Sequence, residues 1–259
     1  MQPRGDNMKN LVIGTWNVDN SYLLTNRNNY KIDVILELLD SGEIDILALQ
    51  EVNPLLASKL DKRLEKSDLG YVITSRYDKT KRPIKKVTSE ENIIISRLPY
   101  LKSKNIELPF FPNDVEKLSD LLEIKDRSVT CQDFIIGSGN LRVYNTRLNK
   151  VDETLNMEQF DVVYDKLVRD HLFDKKESIL LGTLNVNSKS YNMDYYSTLL
   201  SNINMKIVGN SYRTYKGKNN ETLDYIIIPE SYEVDRVLCC DTYDRKISAH
   251  NPLIVKIKK

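Results

Sequence analysis

NLVIGTWNVD, residues 10–19, is an apolar run that ends in a cluster of polar side chains. Asn10–Asn17 has the β-branched content of a strand, and Asn17 and Asp19 stand at its far end. The same pattern recurs down the chain. LQE (49–51), NIIISR (92–97), YNTRL (144–148), GTLN (182–185), TLDY (222–225) and SAHNP (248–252) each join polar residues to one end of an apolar run. Strands that carry such clusters deliver them to one rim of a sheet.

Further strands are predicted at Ile44–Gln50, Tyr71–Ser75, Asn92–Ser96, Ser128–Ile136, Leu141–Thr146, Ser178–Gly182, Leu223–Ile228, Val234–Cys240 and Leu253–Ile257. Helical periodicity appears between some of them. Tyr30, Val34, Ile35 and Leu38 share one face of a first helix, and Leu56, Leu60 and Leu64 one face of a second. Phe160, Val163, Leu167 and His171 line the inner face of a helix over Thr154–Leu172, with His171 in a packing role, and a fourth helix covers Met193–Leu200. Many strands with about four helices favour two packed mixed sheets with helices outside, a four-layer α/β/β/α sandwich of the α/β (α+β) class. Residues 1–8 read as a disordered lead and 9–259 as one domain.

Composition narrows the partners. The 259 residues hold 38 Lys and Arg against 37 Asp and Glu, so no global field draws the chain to a polyanion. Any nucleic-acid binding needs a local patch, for which the basic loops Arg76–Lys86 and Ser211–Asn220 are candidates beside their plain reading as solvated surface. Cys131, Cys239 and Cys240 make no disulfide framework and point to a reducing, intracellular setting, cytoplasm or nucleus. Neither a signal peptide nor a membrane span is expected, and the sequence leaves oligomeric state open.

Taken together, the seven motifs resemble the endonuclease/exonuclease/phosphatase superfamily, in its deoxyribonuclease I-like and abasic-site endonuclease-like branches, from Thr15 to Pro252. The resemblance implies a metal-dependent phosphoesterase with Mg²⁺ (or Mn²⁺). Glu51 is then the principal metal ligand, and Asp19 supports the metal shell. Asn17 contacts a phosphate oxygen or the metal shell, Asn185 contacts the scissile phosphate, and His250, oriented by Asp224, stabilises charge or passes a proton. Arg147 binds phosphate, and Tyr215 stacks on substrate or packs in the core. Read singly, Asn17 and Asn185 are also ordinary turn residues.

Three positions depart from that pattern. Thr183 stands where the family has the Asp that orients or deprotonates water, Ala249 where it has a metal-associated Asp, and Arg147 where many relatives have His. A threonine hydroxyl holds a water but cannot take its proton near neutral pH, and a missing general base costs on the order of 10²–10⁴ in rate. Arg147 is the milder change, since guanidinium is a good phosphate ligand. Asp152 or Asp241 could substitute in space for the missing acids. The favoured expectation is a phosphoester-binding protein of impaired or lost hydrolysis, a pseudoenzyme, its partner a phosphate-containing substrate or nucleic acid. A phosphodiesterase or nuclease with a modified centre, and an interaction scaffold with a relic cleft, are the alternatives.

Overall fold

The computed structural model describes residues 10–19, 25–41, 43–76, 91–109, 128–217, 221–240 and 247–259. In chain order the elements begin β1 (Asn10–Asn17), α1 (Thr25–Ser41), β2 (Ile46–Val52), α2 (Pro54–Glu65), β3 (Val72–Arg76), β4 (Glu91–Ser96) and β5 (Tyr100–Glu107). They continue with β6 (Ser128–Ile136), β7 (Gly139–Arg147), α3 (Glu153–Val168), β8 (Glu177–Thr183), α4 (Tyr191–Ser201) and β9 (Met205–Val208). The last three are β10 (Asp224–Pro229), β11 (Glu233–Cys239) and β12 (Leu253–Lys258).

Two six-stranded sheets result, ordered β11-β12-β1-β2-β4-β3 and β5-β6-β7-β8-β10-β9. Each is mixed: β1 pairs parallel with β2 and β7 parallel with β8, while the other pairs are antiparallel. A parallel pair needs a crossover, which α1 supplies in the first sheet and α3 in the second. Three apolar layers account for the stacking. Trp16, Leu47, Leu49 and Ile93 of the first sheet pack on Ile35, Leu38, Leu56 and Leu60 of α1 and α2. Ile13, Ile46, Ile94, Val143, Ile179, Ile226 and Val255 meet between the sheets. Tyr144, Leu180 and Ile227 pack on Phe160, Val163 and Tyr196 of α3 and α4. The expected four-layer α/β/β/α sandwich is the observed one.

Helix ends follow local chemistry. Asn53 Oδ1 accepts from the Leu56 N–H at the start of α2, with Pro54 at its first position, and Asp152 and Ser190 cap α3 and α4 in the same way. Asp152 is thereby a helix cap and not a replacement acid, while Asp241 lies outside the described residues.

Some sequence expectations need correction. β5 and β9 were not expected: β5 is a largely exposed edge strand of mixed polarity, and β9 is only four residues long. β2 begins and ends two residues later than its apolar run, because a bulge between Leu49 and Val52 carries Gln50 and Glu51 within the strand. Tyr30 is 57% exposed, since the buried face of α1 is Asn28, Lys31, Ile32, Ile35, Leu38 and Leu39. α3 passes into a π-helical turn, Arg169–Phe173, that buries Asp170 and leaves His171 partly exposed. Residues 1–8 lie outside the described part.

Candidate functional site

The strand directions bring the motifs to one rim. β1, β2, β7 and β8 all end there, and β10 and β12, antiparallel to β8 and β1, begin there. Register aligns the row: Thr183 lies opposite both Arg147 and Asp224 in the second sheet. Asn17 lies level with Gln50 in the first.

An unbroken run of side-chain contacts crosses this rim from sheet to sheet. Arg147 Nη2 pairs with Glu51 Oε1 at 2.6 Å. Asn17 Nδ2 donates to the same oxygen at 2.7 Å and to Thr183 Oγ1 at 3.2 Å. Thr183 Oγ1 donates to Asp224 Oδ1 at 2.6 Å, and Asp224 Oδ2 meets His250 Nδ1 at 2.7 Å. All six residues are buried or nearly so. An ionised Asp224 only accepts, so its Oδ2 assigns the Nδ1 proton to His250 and leaves Nε2 as the ring nitrogen for a ligand.

The other expected residues sit around this run. Tyr215 bridges His250 through the backbone and lies beside it ring to ring, 4.9 Å between centroids. Lys150 Nζ stands 5.0 Å over the Tyr215 ring, and a Cβ on Gly217 would fall 2.2 Å from Tyr215 Cε1, so Gly217 is the floor under that ring. Asn185 donates from Nδ2 to the Leu148 carbonyl at 2.8 Å, which ties it to the loop after Arg147. Asp19 donates its N–H to Asn17 Oδ1 at 2.9 Å, and its carbonyl accepts from Lys31 Nζ at 2.6 Å. The Ala249 carbonyl accepts from the Lys216 N–H at 2.7 Å.

Asp19, Glu51 and Asn185 have φ of 47°, 56° and 56°, the left-handed region that non-glycine residues rarely adopt.

Several supporting residues escaped sequence reasoning. Gln50 Nε2 donates to Asn145 Oδ1 at 2.8 Å, and Asn145 Nδ2 donates to the Leu49 and Ile93 carbonyls at 3.0 and 2.8 Å. Asn145 thus ties the second sheet to β2 and β4 of the first. Ser248 Oγ donates to the Asn17 carbonyl and accepts from the His250 N–H, while Trp16 Nε1 holds the His250 carbonyl at 3.0 Å. Thr214 Oγ1 accepts from the Leu223 and Asp224 N–H groups, both at 3.0 Å. Gln50 and Asn145 lie inside quoted motifs, but nothing in a motif separates a cross-sheet anchor from a ligand contact. Lys31 carries no signal at all.

The donor set does not fit a resident Mg²⁺. Such an ion wants carboxylate oxygens and waters in octahedral array. Among the described residues no three His, Cys, Asp or Glu side chains gather to hold a metal. Glu51, the expected principal ligand, already faces a guanidinium.

Of the two basic loops, only Arg76 of Arg76–Lys86 is described, at the end of β3. Residues 211–217 of the second are described, and there Lys216 is buried instead of solvated. A cavity of about 360 Å³ at the opposite rim, between Leu11, Ile136, Leu141, Tyr232 and Ile257, holds one acid–base pair, Glu177 with Lys259, and lies away from the motifs.

The family model described as Endonuclease/Exonuclease/phosphatase family matches residues 14–250. No curated protein matches the chain in sequence. Among solved structures, a mannosyl-6-phosphatase from Bacteroides thetaiotaomicron superposes with a TM-score of 0.75 at 16% identity, covering 96% of this chain and 100% of that one. A humanized D. rerio TDP2 gives 0.67 at 16% identity, with 97% and 100% covered. The human Nocturnin catalytic domain with bound sulfate anion gives 0.69 at 18% identity, with 96% and 94% covered. At these identities the structures share a fold with this chain.

Proposed function

This chain belongs to the Endonuclease/Exonuclease/phosphatase family, and from that premise we propose that its rim binds a phosphate ester and hydrolyses it poorly or not at all. Members of the family act on phosphate-containing or nucleic-acid substrates and typically depend on a divalent metal. The observation that carries the reading is the Thr183 hydroxyl, fully buried, accepting from Asn17 and donating to Asp224 at 2.6 Å. A hydroxyl so committed is neither a base for water nor a metal ligand. Arg147 and Asn185 supply donors that a phosphate oxygen needs, and a doubly protonated His250 ring adds a third through Nε2. Tyr215, with Lys150 over its ring, offers a face for the group the phosphate is attached to.

A second reading keeps hydrolysis, and the Asp224–His250 pair favours it, since an imidazole held by a carboxylate can pass a proton to a leaving group. The substrate stays at the level of a phosphate ester. The relatives' printed names span a sugar phosphatase and other family members, and the near-zero net charge gives nucleic acid no general advantage.

Calorimetric titration with inorganic phosphate and a nucleoside monophosphate, run beside turnover of aryl phosphate mono- and diesters, tests the proposal. Binding without turnover above background is expected. Turnover that Glu51→Ala and His250→Ala both abolish would establish the hydrolase instead. Absence of any phosphate binding would leave the scaffold reading.

A further inference from the structure

We infer that the cavity at the opposite rim binds a small zwitterion with an apolar side group, of which a free hydrophobic α-amino acid is the simplest case. This site is separate from the motif rim and stands whether or not that rim binds phosphate.

Strand direction builds it as it builds the motif rim. β1, β7 and β8 begin here and β12 ends here, while the turns after β6 and β10 close the sides. Leu11, Leu141, Tyr232 and Ile257 wall the cavity and belong to the apolar layer between the sheets. The cavity therefore opens the edge of that layer. Its volume of about 360 Å³ suits a small molecule.

Two opposite charges stand beside the apolar wall. Glu177 lies level with Leu141 across the parallel pair of β7 and β8. Its Oε2 accepts from the Tyr232 hydroxyl at 2.7 Å, and its Oε1 pairs with Lys259 Nζ at 2.5 Å. Tyr232 is buried, and its carbonyl accepts from Lys206 Nζ at 2.6 Å. Burial, and then the bond to Glu177, push the Tyr232 hydroxyl far above the usual tyrosine range, so it stays protonated and donates. The carboxylate is thus fixed from behind, with one oxygen left for a cation. Lys259 is held far less: its side chain is 62% exposed, and a pair so open to water contributes little.

Charge selects the ligand. A plain amine reaches Glu177 only by putting Lys259 out to solvent, and a plain carboxylic acid brings a like charge to Glu177. A zwitterion places its ammonium on Glu177 and its carboxylate on Lys259, so that opposite charges alternate. Its side group covers Leu11, Leu141 and Ile257, and the apolar area removed from water supplies affinity.

The test is a titration of the full chain with L-leucine and L-phenylalanine, read by calorimetry and by the methyl signals of Leu11, Leu141 and Ile257. Saturable shifts are expected. Phenethylamine and 3-phenylpropionate each lack one charge, and glycine lacks the side group; each should bind about tenfold more weakly or worse. Glu177→Gln keeps an acceptor for Tyr232 but removes the charge, and Lys259→Met removes the opposite charge at an exposed position. Each should lower affinity for L-phenylalanine by about tenfold, with amide shifts showing the fold intact. Should Glu177→Gln fail to fold, Lys259→Met decides the matter. No saturable shift with either amino acid would overturn the inference. So would equal affinity for any of the three truncated probes, or unchanged affinity in either folded variant.

Discussion

Thr183 shows how one side chain sets what the rim can do. Its hydroxyl is both donor and acceptor, and each half is used: Asn17 Nδ2 donates to it at 3.2 Å, and it donates to Asp224 Oδ1 at 2.6 Å. An ionised aspartate in that place could satisfy Asn17 but would set two carboxylates face to face in a fully buried position. Thr183→Asp, the substitution that would rebuild the family motif, is therefore expected to destabilise the fold by roughly 2–5 kcal/mol, since like charges and an unpaired buried acid both cost. Urea denaturation checks this, and a variant as stable as the parent would contradict it. The sequence made Thr183, Ala249 and Arg147 legible as departures, because each sits inside a motif whose neighbours are intact. It could not reveal that Arg147 turns to Glu51. That pairing spans two sheets and 96 positions of chain, and only the fold brings it about.

At the scale of elements, close approach and buried charge take over from motif. Gly182 is the last residue but one of β8, and a Cβ there would lie 2.1 Å from the Thr146 carbonyl oxygen of the parallel neighbour β7. Backbone cannot yield as a flexible side chain does, so Gly182→Ala is expected to cost about 3 kcal/mol or more and to shift Thr183 out of register. Equilibrium denaturation reads the first, and amide chemical shifts along β7 and β8 read the second. Behind the second sheet, Arg142 binds Asp133 on β6 through Nε and Nη2 and Asp170 of the π-helical turn through Nη1, and the Tyr144 hydroxyl donates to Asp170 as well. Burial would push the Asp133 carboxyl up, but the hydrogen bonds and charge of Arg142, helped by Lys176, hold it below the usual range. A carboxylate with a lowered folded value contributes stability above its unfolded value and loses it as pH falls through the folded one. Arg142→Met should cost about 3–5 kcal/mol at neutral pH, and the gap to the parent should narrow on acidification. A gap that widens in acid would contradict the assignment. Sequence periodicity found α1 and α3 but misjudged single positions in each. Lys31 and Asn28 read as polar and so hid the buried face of α1, which falsely admitted Tyr30. The π-helical turn moved the inward position from His171 to Asp170, because one wider turn shifts the phase of all that follows. β5 was illegible because its largely exposed, mixed residues are not those of a half-buried strand.

Across the whole molecule, the two sheets meet through an apolar layer that turns polar only toward the rim. Asn145 anchors that boundary by donating to carbonyls of β2 and β4 and accepting from Gln50. Asn145→Ala would remove the side-chain bonds to the Leu49 and Ile93 carbonyls and one of the acceptors of Gln50 Nε2, and a loss of roughly 2–4 kcal/mol is expected by thermal or urea denaturation. A loss below about 1 kcal/mol would mean that the sheets are held by the apolar layer alone. The architecture was the most legible feature of the sequence, because ordered motifs and strand periodicity agree on it independently. No helix among the described residues is long and apolar enough to cross a membrane. The basic loop Arg76–Lys86 falls almost wholly outside the described residues, so the rim alone carries the functional account. In the proposed function, Arg147, His250 and their neighbours form one receptor for a phosphate group. Its most direct test is a phosphate titration in EDTA followed by NMR of the Arg147 guanidinium and the His250 ring. Saturable, parallel shifts of both sets of signals are predicted, absent from His171. Signals of Arg147 and His250 that stay fixed while phosphate is raised to saturating levels for any other site would contradict it.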